Sequence, residues 1–416
     1  MVTPSPQGNS TPVANADTTA VASSNMVEES INPQEEATVA EPLKLGQSCF
    51  YVIAVMAAVY GLLASIDLLA IGFQSILGPQ AEELLNLAAN PWLGLLVGII
   101  TTALIQSSSL VTTLLVGLVA GGLPITTAIP MVMGANLGTT ITNTLVSLGY
   151  IGNDEDFERS FAAATVHDCF NLLALVLFFP LEILLHPFEK LSQWVVSMLP
   201  GGMPIPISLS ISPVDWLVKP SRWLIAYGVN HMPGPWDSLL LFGCSVGGLM
   251  ISVTALSWLI KHWLSEPLRK LLYWTTGHGS KLGGLASGIG ITALLQSSSV
   301  TTSLMIPLAG AGTLTLEEIY PFVLGANVGT CVTAVLATLA VNNQVALQLA
   351  LVHVSYNILA VTLIYGISPL RDVPLKLAQQ LATATRNYRI VSVAYVVGVF
   401  FLLPFLTLWL SSLWIT

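Results

Sequence analysis

The tetrapeptide QSSS occurs twice, in "TALIQSSSLVTTL" at 102–114 and in "TALLQSSSVTTSL" at 292–304, each time inside otherwise apolar sequence. Buried hydroxyls and amides must find hydrogen-bond partners or a ligand. Ser107, Ser108 and Ser109, with Ser297, Ser298 and Ser299, offer donors to an oxyanion. A helix beginning just after each QSSS adds free N–H groups and roughly half a positive charge. All thirteen Lys and Arg fall in predicted loops or at span ends, so an anion here is held without a cationic side chain. Two facing helix N-termini suit a tetrahedral oxyanion.

The remaining polar residues are oxygen ligands for a hard cation. They are Gln106, Gln296, Asn136, Asn327, Thr139, Thr330, Asp168, Asn171 and Asn357. Burying an unpaired doubly charged anion costs on the order of tens of kcal/mol. Cations bound beside it offset that cost, which gives a physical reason for coupled binding. Taken singly, each residue has an ordinary alternative. Ser and Thr in membrane helices bond the carbonyl of the preceding turn, and Asn and Gln join helices. Those alternatives do not explain a set kept in register, with 30 residues from Gln106 to Asn136 and 31 from Gln296 to Asn327. His167 and His353 read as packing rings bonded to a neighbouring carbonyl rather than as ligands. Asp168 is an intramembrane carboxylate, which by default marks a functional site. Asp67, in the first span, could instead cap or pair locally.

These residues need elements to hold them. The chain of 416 residues is 54% hydrophobic and 8% charged, with a mean hydropathy of +0.77. A soluble domain carries about 25% charged residues, so the composition indicates a polytopic membrane protein. Residues 1–48 form an acidic tail expected to be disordered and cytoplasmic. It lacks the basic start of a signal peptide. The four cysteines are scattered singly and suggest neither disulfides nor a transition-metal site. Predicted spans cover 49–78, 124–149, 160–186, 237–260, 317–340, 345–366 and 390–414. Segments 92–122 and 283–312 are split by QSSS into halves too short to cross. They read as re-entrant helical hairpins, tolerated where they are buried in protein or line a cavity. Residues 187–236 and 367–389 read as loops. With a cytoplasmic N-terminus, ten basic residues lie inside and only Lys190, Lys219 and Arg222 outside, as the positive-inside rule requires. The C-terminus then falls outside.

Residues 101–122 match 291–312 at 11 of 22 positions, and 130–149 match 321–340 at 10 of 20. "VHDCFNLLA" (166–174) echoes "VHVSYNILA" (352–360). The predicted fold is all-α, with inverted-topology repeats at 49–186 and 237–366 followed by a final transmembrane helix at 390–416. Each repeat has a re-entrant hairpin with a QSSS tip and a helix broken at "GAN-x-GT", whose glycines are expected to free backbone carbonyls. An odd number of crossings per repeat inverts the second copy, so the tips meet near the midplane. Inverted repeats with broken midplane helices mark secondary transporters. No Walker-type sequence is present, which favours an ion gradient over ATP. A channel would need a continuous pore. The QSSS serines do not lie in a "GxSxG" elbow, which argues against a hydrolase built on one of them with His167 and Asp168.

"NPWLGLLVGIITTALIQSSS", "IPMVMGANLGTTITNTLVSLG", "FERSFAAATVHDCFNLLALVLFFPLE" and "TALLQSSSVTTSLMIPLAGAGTLTLEEIYPFVLGANVGT" resemble the type II sodium-dependent phosphate cotransporters of animal kidney and gut and their bacterial relatives. So do "SIDLLAIGFQSILG" and "NYRIVSVAYVVGVFFLLPF", and the resemblance runs from about residue 50 to 410. It implies sodium-driven uptake of inorganic phosphate, chiefly divalent, across the plasma membrane (the inner membrane of a bacterium) by alternating access. Gln106–Ser109 and Gln296–Ser299 would form the phosphate and sodium cavity. Asp168 matches a carboxylate associated with electrogenic transport, and Asn171 a residue assigned to sodium. Sodium serves as coupling ion, with no other cofactor. Phosphate, sodium and the lipid bilayer are the implied partners, nucleic acid is not, and a homodimer is left open. Ala135 and Ala326 stand where animal relatives commonly carry Ser, which removes a hydroxyl from each copy. Sulfate or arsenate would fit the same machinery.

Overall fold

Helices account for nearly all of the backbone in the computed structural model, which describes residues 45–77, 90–199, 219–220, 236–263, 281–406 and 409. The acidic tail to residue 44, most of 200–235 and the end of the last predicted span lie outside the described residues. The first helix, α1 (Leu45–Leu77), is predominantly apolar. A pair, α2 (Pro91–Ile105) and α3 (Ser108–Ala120), follows, then α4 (Ile125–Gly138), α5 (Ile141–Ser147), α6 (Asp154–Leu185) and α7 (Pro187–Met198). After α8 (Trp236–Trp263) the second series runs α9 (Lys281–Leu295), α10 (Ser298–Ser303), α11 (Met305–Gly310), α12 (Leu316–Val341) and α13 (Gln344–Ala360). The chain continues through α14 (Ser368–Asn387) and α15 (Ile390–Val397).

Five of these segments are long and apolar enough to cross a bilayer: Cys49–Ile76, Asp154–Leu185, Trp236–Trp263, Leu316–Val341 and Gln344–Tyr365. The protein is therefore an all-α, multi-pass membrane protein. At 15 and 13 residues, α2 and α3 reach only about 20 Å each at 1.5 Å per residue, short of a hydrocarbon core of about 30 Å.

The two series pack alike. Gly98 of α2 lies so close to α4 that an added Cβ would stand 2.1 Å from the Met131 carbonyl oxygen, and a Cβ on Gly288 of α9 would stand 2.1 Å from that of Phe322 on α12. In return, a Cβ on Gly134 of the first GAN would stand 2.3 Å from Leu95 O, and one on Gly325 of the second 2.1 Å from Leu285 O. This corrects the expectation of a helix broken at GAN-x-GT in the second copy. The glycines let two backbones touch. α12 runs unbroken through Gly325–Gly329. In the first copy the helix breaks only at Thr139–Thr140, between α4 and α5.

Segments read as loops also contain helices. Residues 368–387 form α14, because Pro374, Ala378, Ala382 and Thr385 share one buried stripe that packs on α6. Ion pairs from α14 and its end to the start of α6, Arg386–Glu158 at 2.8 Å and Arg389–Asp154, fasten it there. α7 begins where the predicted outer loop does, and an edge-to-face cluster of Phe178, Phe188 and Tyr356, 5.4–6.0 Å apart, ties it to α6 and α13.

Candidate functional site

Both QSSS segments break their helices in the same way. Gln106 and Gln296 adopt left-handed backbone at φ 59° and 53°, uncommon for a residue with a Cβ. Each donates its N–H to the carbonyl of Thr102 or Thr292 at 2.7 Å, closing the first helix. The next serine is the N-cap of the second helix: Ser107 Oγ accepts from Leu110 N at 3.2 Å, and Ser297 Oγ from Val300 N at 3.3 Å. Capping requires only a lone pair, so both hydroxyl protons stay free for another acceptor. Ser108, Ser109, Ser298 and Ser299 are buried in the first turns that follow.

The two tips come together. Ser299 Oγ lies 3.4 Å from the carbonyl oxygen of Gln106. The helices leaving the tips cross over: α3 packs on α12 and α13, while α10 and α11 pack on α5 and α6. Asn143 of α5 donates to Thr302 Oγ1 at 2.8 Å and accepts from Ser303 Oγ at 3.1 Å. The tips are not equivalent, because Gln106 is exposed and Gln296 buried.

Behind the tips, the asparagines of GAN meet the His-x3-Asn elements of the opposite series. His167 Nε2 is 2.7 Å from Asn327 Oδ1, and Asn327 Nδ2 donates to Asn171 Oδ1 at 2.6 Å. Reciprocally, His353 Nε2 is 3.1 Å from Asn136 Oδ1, and Asn136 Nδ2 donates to Asn357 Oδ1 at 3.0 Å. A turn of helix places His and Asn on one face, so each pair grips one amide from both ends. The amide oxygens as placed require the proton on Nε2 of both rings. The four asparagines predicted as sodium ligands are thus knitted to one another across the repeats. Thr139 and Thr330 bond the carbonyls of Ala135 and Ala326, both at 2.9 Å, the ordinary back-bond of a helical threonine. His167 and Asp168 have Asn327 and Tyr395 as partners, so a serine triad is not what the geometry assembles.

Asp168 lies apart from that network. Tyr395 of α15 donates to its Oδ2 at 2.8 Å. Thr140 and Thr144 face the same carboxylate, yet Oδ1 has no hydrogen bond. Thr140 spends its proton on Leu137 O at 2.9 Å, so toward Asp168 it presents lone pairs. Further buried oxygens keep their capacity, among them Ser109 Oγ, Thr113 Oγ1 and Gln296 Oε1. Each unmade buried bond costs about 1–3 kcal/mol, and the concentration at the tips and around Asp168 fits an anion and small cations. Tyr395, Asn143, Thr140 and Thr144 were not among the residues expected from the sequence. Only the spacing of the last two, four apart beside the helix break, could have flagged them.

Glu182, His186 and Glu189 form a group with metal-ligating potential. Both Glu182 oxygens, however, accept backbone N–H groups from Phe188 and Glu189, at 2.9 and 3.2 Å. The carboxylate thereby caps the start of α7.

The family described as "Na+/Pi-cotransporter" matches residues 62–196 and 249–370. The chain is 31% identical to sheep sodium-dependent phosphate transport protein 2A over 88% of its length and 69% of the relative's. It is 30% identical to human sodium-dependent phosphate transport protein 2B, over 87% of this chain and 66% of that one. The chain thus spans about two thirds of the length of these relatives. No solved structure matches it significantly.

Proposed function

Because the chain belongs to the Na+/Pi-cotransporter family, we propose that it is a sodium-coupled symporter importing inorganic phosphate, chiefly the divalent form. It works across the plasma membrane, the inner membrane of a bacterium, by alternating access and carries net charge. The observation that carries this reading is the meeting of the two QSSS tips at Ser299 and Gln106. Two helix N-termini converge there among buried hydroxyls. Phosphate binds between them through Ser107–Ser109 and Ser297–Ser299. The positive ends of α3 and α10 take the place of lysine or arginine, and co-bound sodium supplies the remaining positive charge.

The cation ligands divide into two sets. Gln106, Gln296, Thr139 and Thr330 serve ions beside the phosphate, while Asn136, Asn357, Asn327 and Asn171, whose amides also join the repeats, serve as sodium ligands behind the tips. Asp168 Oδ1, with Thr140 and Thr144, takes a further sodium ion. Cys331, Val335 and Val354 occupy the corresponding positions of the second repeat, so this site has no mirror image. An unpaired cation site beyond two per divalent phosphate makes transport electrogenic. Alternating access draws support from the unequal tips, since an inverted-repeat carrier open to one side holds its two halves in different surroundings.

The test is uptake of labelled phosphate into liposomes containing the purified protein. An inward sodium gradient should drive accumulation, and excess unlabelled sulfate should compete weakly. Equal uptake with and without the gradient would exclude a symporter. Full competition by sulfate would reassign the substrate.

A further inference from the structure

The last described helix belongs to neither repeat, yet it supplies a hydrogen bond to the buried carboxylate of Asp168. Tyr395 O–H donates to Oδ2 at 2.8 Å, and Asp168 is fully buried. The ring is placed by its own helix. Just after Tyr395 the backbone makes a π-helical turn, Gly398–Leu402, a feature frequent at functional sites. That turn sinks Phe400 into the core, and the two rings meet edge to face at 6.3 Å. Tyr395 also packs against the cluster of Phe157, Phe161, Ala162 and Ala382, so its hydroxyl has little freedom.

A carboxylate can rotate about its Cβ–Cγ bond and exchange its two oxygens. With Oδ2 held by a phenol at 2.8 Å, that exchange is hindered, and Oδ1 is left without a hydrogen bond on a carboxylate that Thr140 and Thr144 also face. Thr140 has already given its proton to Leu137 O. Thr140 therefore has oxygen lone pairs rather than a proton to offer the carboxylate, which suits a shared cation better than a direct hydrogen bond.

We propose that Tyr395 is a positioning residue for cation coupling: its hydroxyl pins Asp168 so that Oδ1 points between Thr140 and Thr144 as the anionic ligand of a sodium ion. The proposal rests on the reading of Asp168 as a sodium-coupling carboxylate. It gives the helix outside the repeats a part in setting sodium affinity.

Tyr395→Phe removes the hydroxyl and keeps the ring on Phe400. In proteoliposomes the half-saturating sodium concentration should rise about ten-fold, the loss typical of one hydrogen bond to a charged group. Half-saturating phosphate, measured at saturating sodium, should stay within two-fold of wild type. In an Asp168→Asn background the same substitution should add no further shift in sodium dependence, since coupled residues are not additive. The rise in melting temperature that sodium gives the detergent-solubilised protein should shrink in parallel, a readout that does not need active transport. If Asp168→Asn shifts sodium dependence and Tyr395→Phe does not, the positioning role is wrong. Additive shifts in the double variant would overturn it too. If Asp168→Asn itself behaves as wild type, the reading of Asp168 fails and takes this proposal with it.

Discussion

Within QSSS the serines divide labour by position. The first of each set is an N-cap, with its oxygen already accepting an N–H, whereas the second lies in the first turn of the helix that follows. Ser107→Ala and Ser297→Ala should each destabilise the protein by about 1 kcal/mol, the usual loss for a removed cap, seen as a lower melting temperature. Ser108→Ala and Ser298→Ala should leave stability nearly unchanged and weaken phosphate about ten- to a hundred-fold, because each removes a donor to a charged ligand. Melting curves separate the two classes, since only the caps carry helix stability, and binding isotherms in saturating sodium read the loss of phosphate donors. Wild-type phosphate affinity in both second-position variants would remove the tips from the binding site.

At the scale of elements, the repeat in the sequence is a repeat in contact. Two helices approach until only glycine fits between them, once at Gly98 and Gly134 and again at Gly288 and Gly325. α9 contains its own control. Gly288 has the Phe322 carbonyl 2.1 Å from where a Cβ would stand, while Gly290 has nothing within 4 Å. Gly288→Ala should force α9 and α12 apart and cost at least about 3 kcal/mol, at the upper end of overpacking. Gly290→Ala should be neutral or stabilise by up to about 1 kcal/mol, since alanine suits a helix better. Melting curves of the two variants in detergent settle the comparison. Equal melting temperatures would mean that α9 and α12 do not touch there.

The same scale shows what could be read from the sequence. QSSS, GAN and His-x3-Asn were visible because buried polar residues stand out against apolar sequence and recur in register. Their partners were not visible. Nothing local links His167 to Asn327, 160 residues away, or Tyr395 to Asp168, 227 residues away. GAN suggested an unwound helix, since glycine is flexible, but here the need met by glycine is close packing. α14 was hidden for a different reason. Half of a helix lying on the protein is polar, so its average hydropathy resembles that of a loop and only its buried stripe betrays it.

For the whole molecule, function turns on parity. Among the described residues, five helices are long and apolar enough to cross. If the broken pair α4–α5 crosses as well, every repeat makes three crossings and the second is upside down. The tips then approach the midplane from opposite faces, as a carrier exposing one site to two sides in turn requires. This arrangement puts α7 outside and α14 inside, with Arg371, Lys376, Arg386 and Arg389 on the cytoplasmic side as the positive-inside rule expects. Ser197 on α7 and Gln380 on α14 are both exposed. Exposed Cys49 and Cys244 would be replaced first, and Cys169 and Cys331 are buried. In intact cells, Ser197→Cys should react with an impermeant thiol reagent and Gln380→Cys should react only after permeabilisation. Labelling of both from the same side would put an even number of crossings between α7 and α14. The two repeats would then be parallel, and a site shared between tips facing the same way could not be offered to the two sides alternately by their exchange.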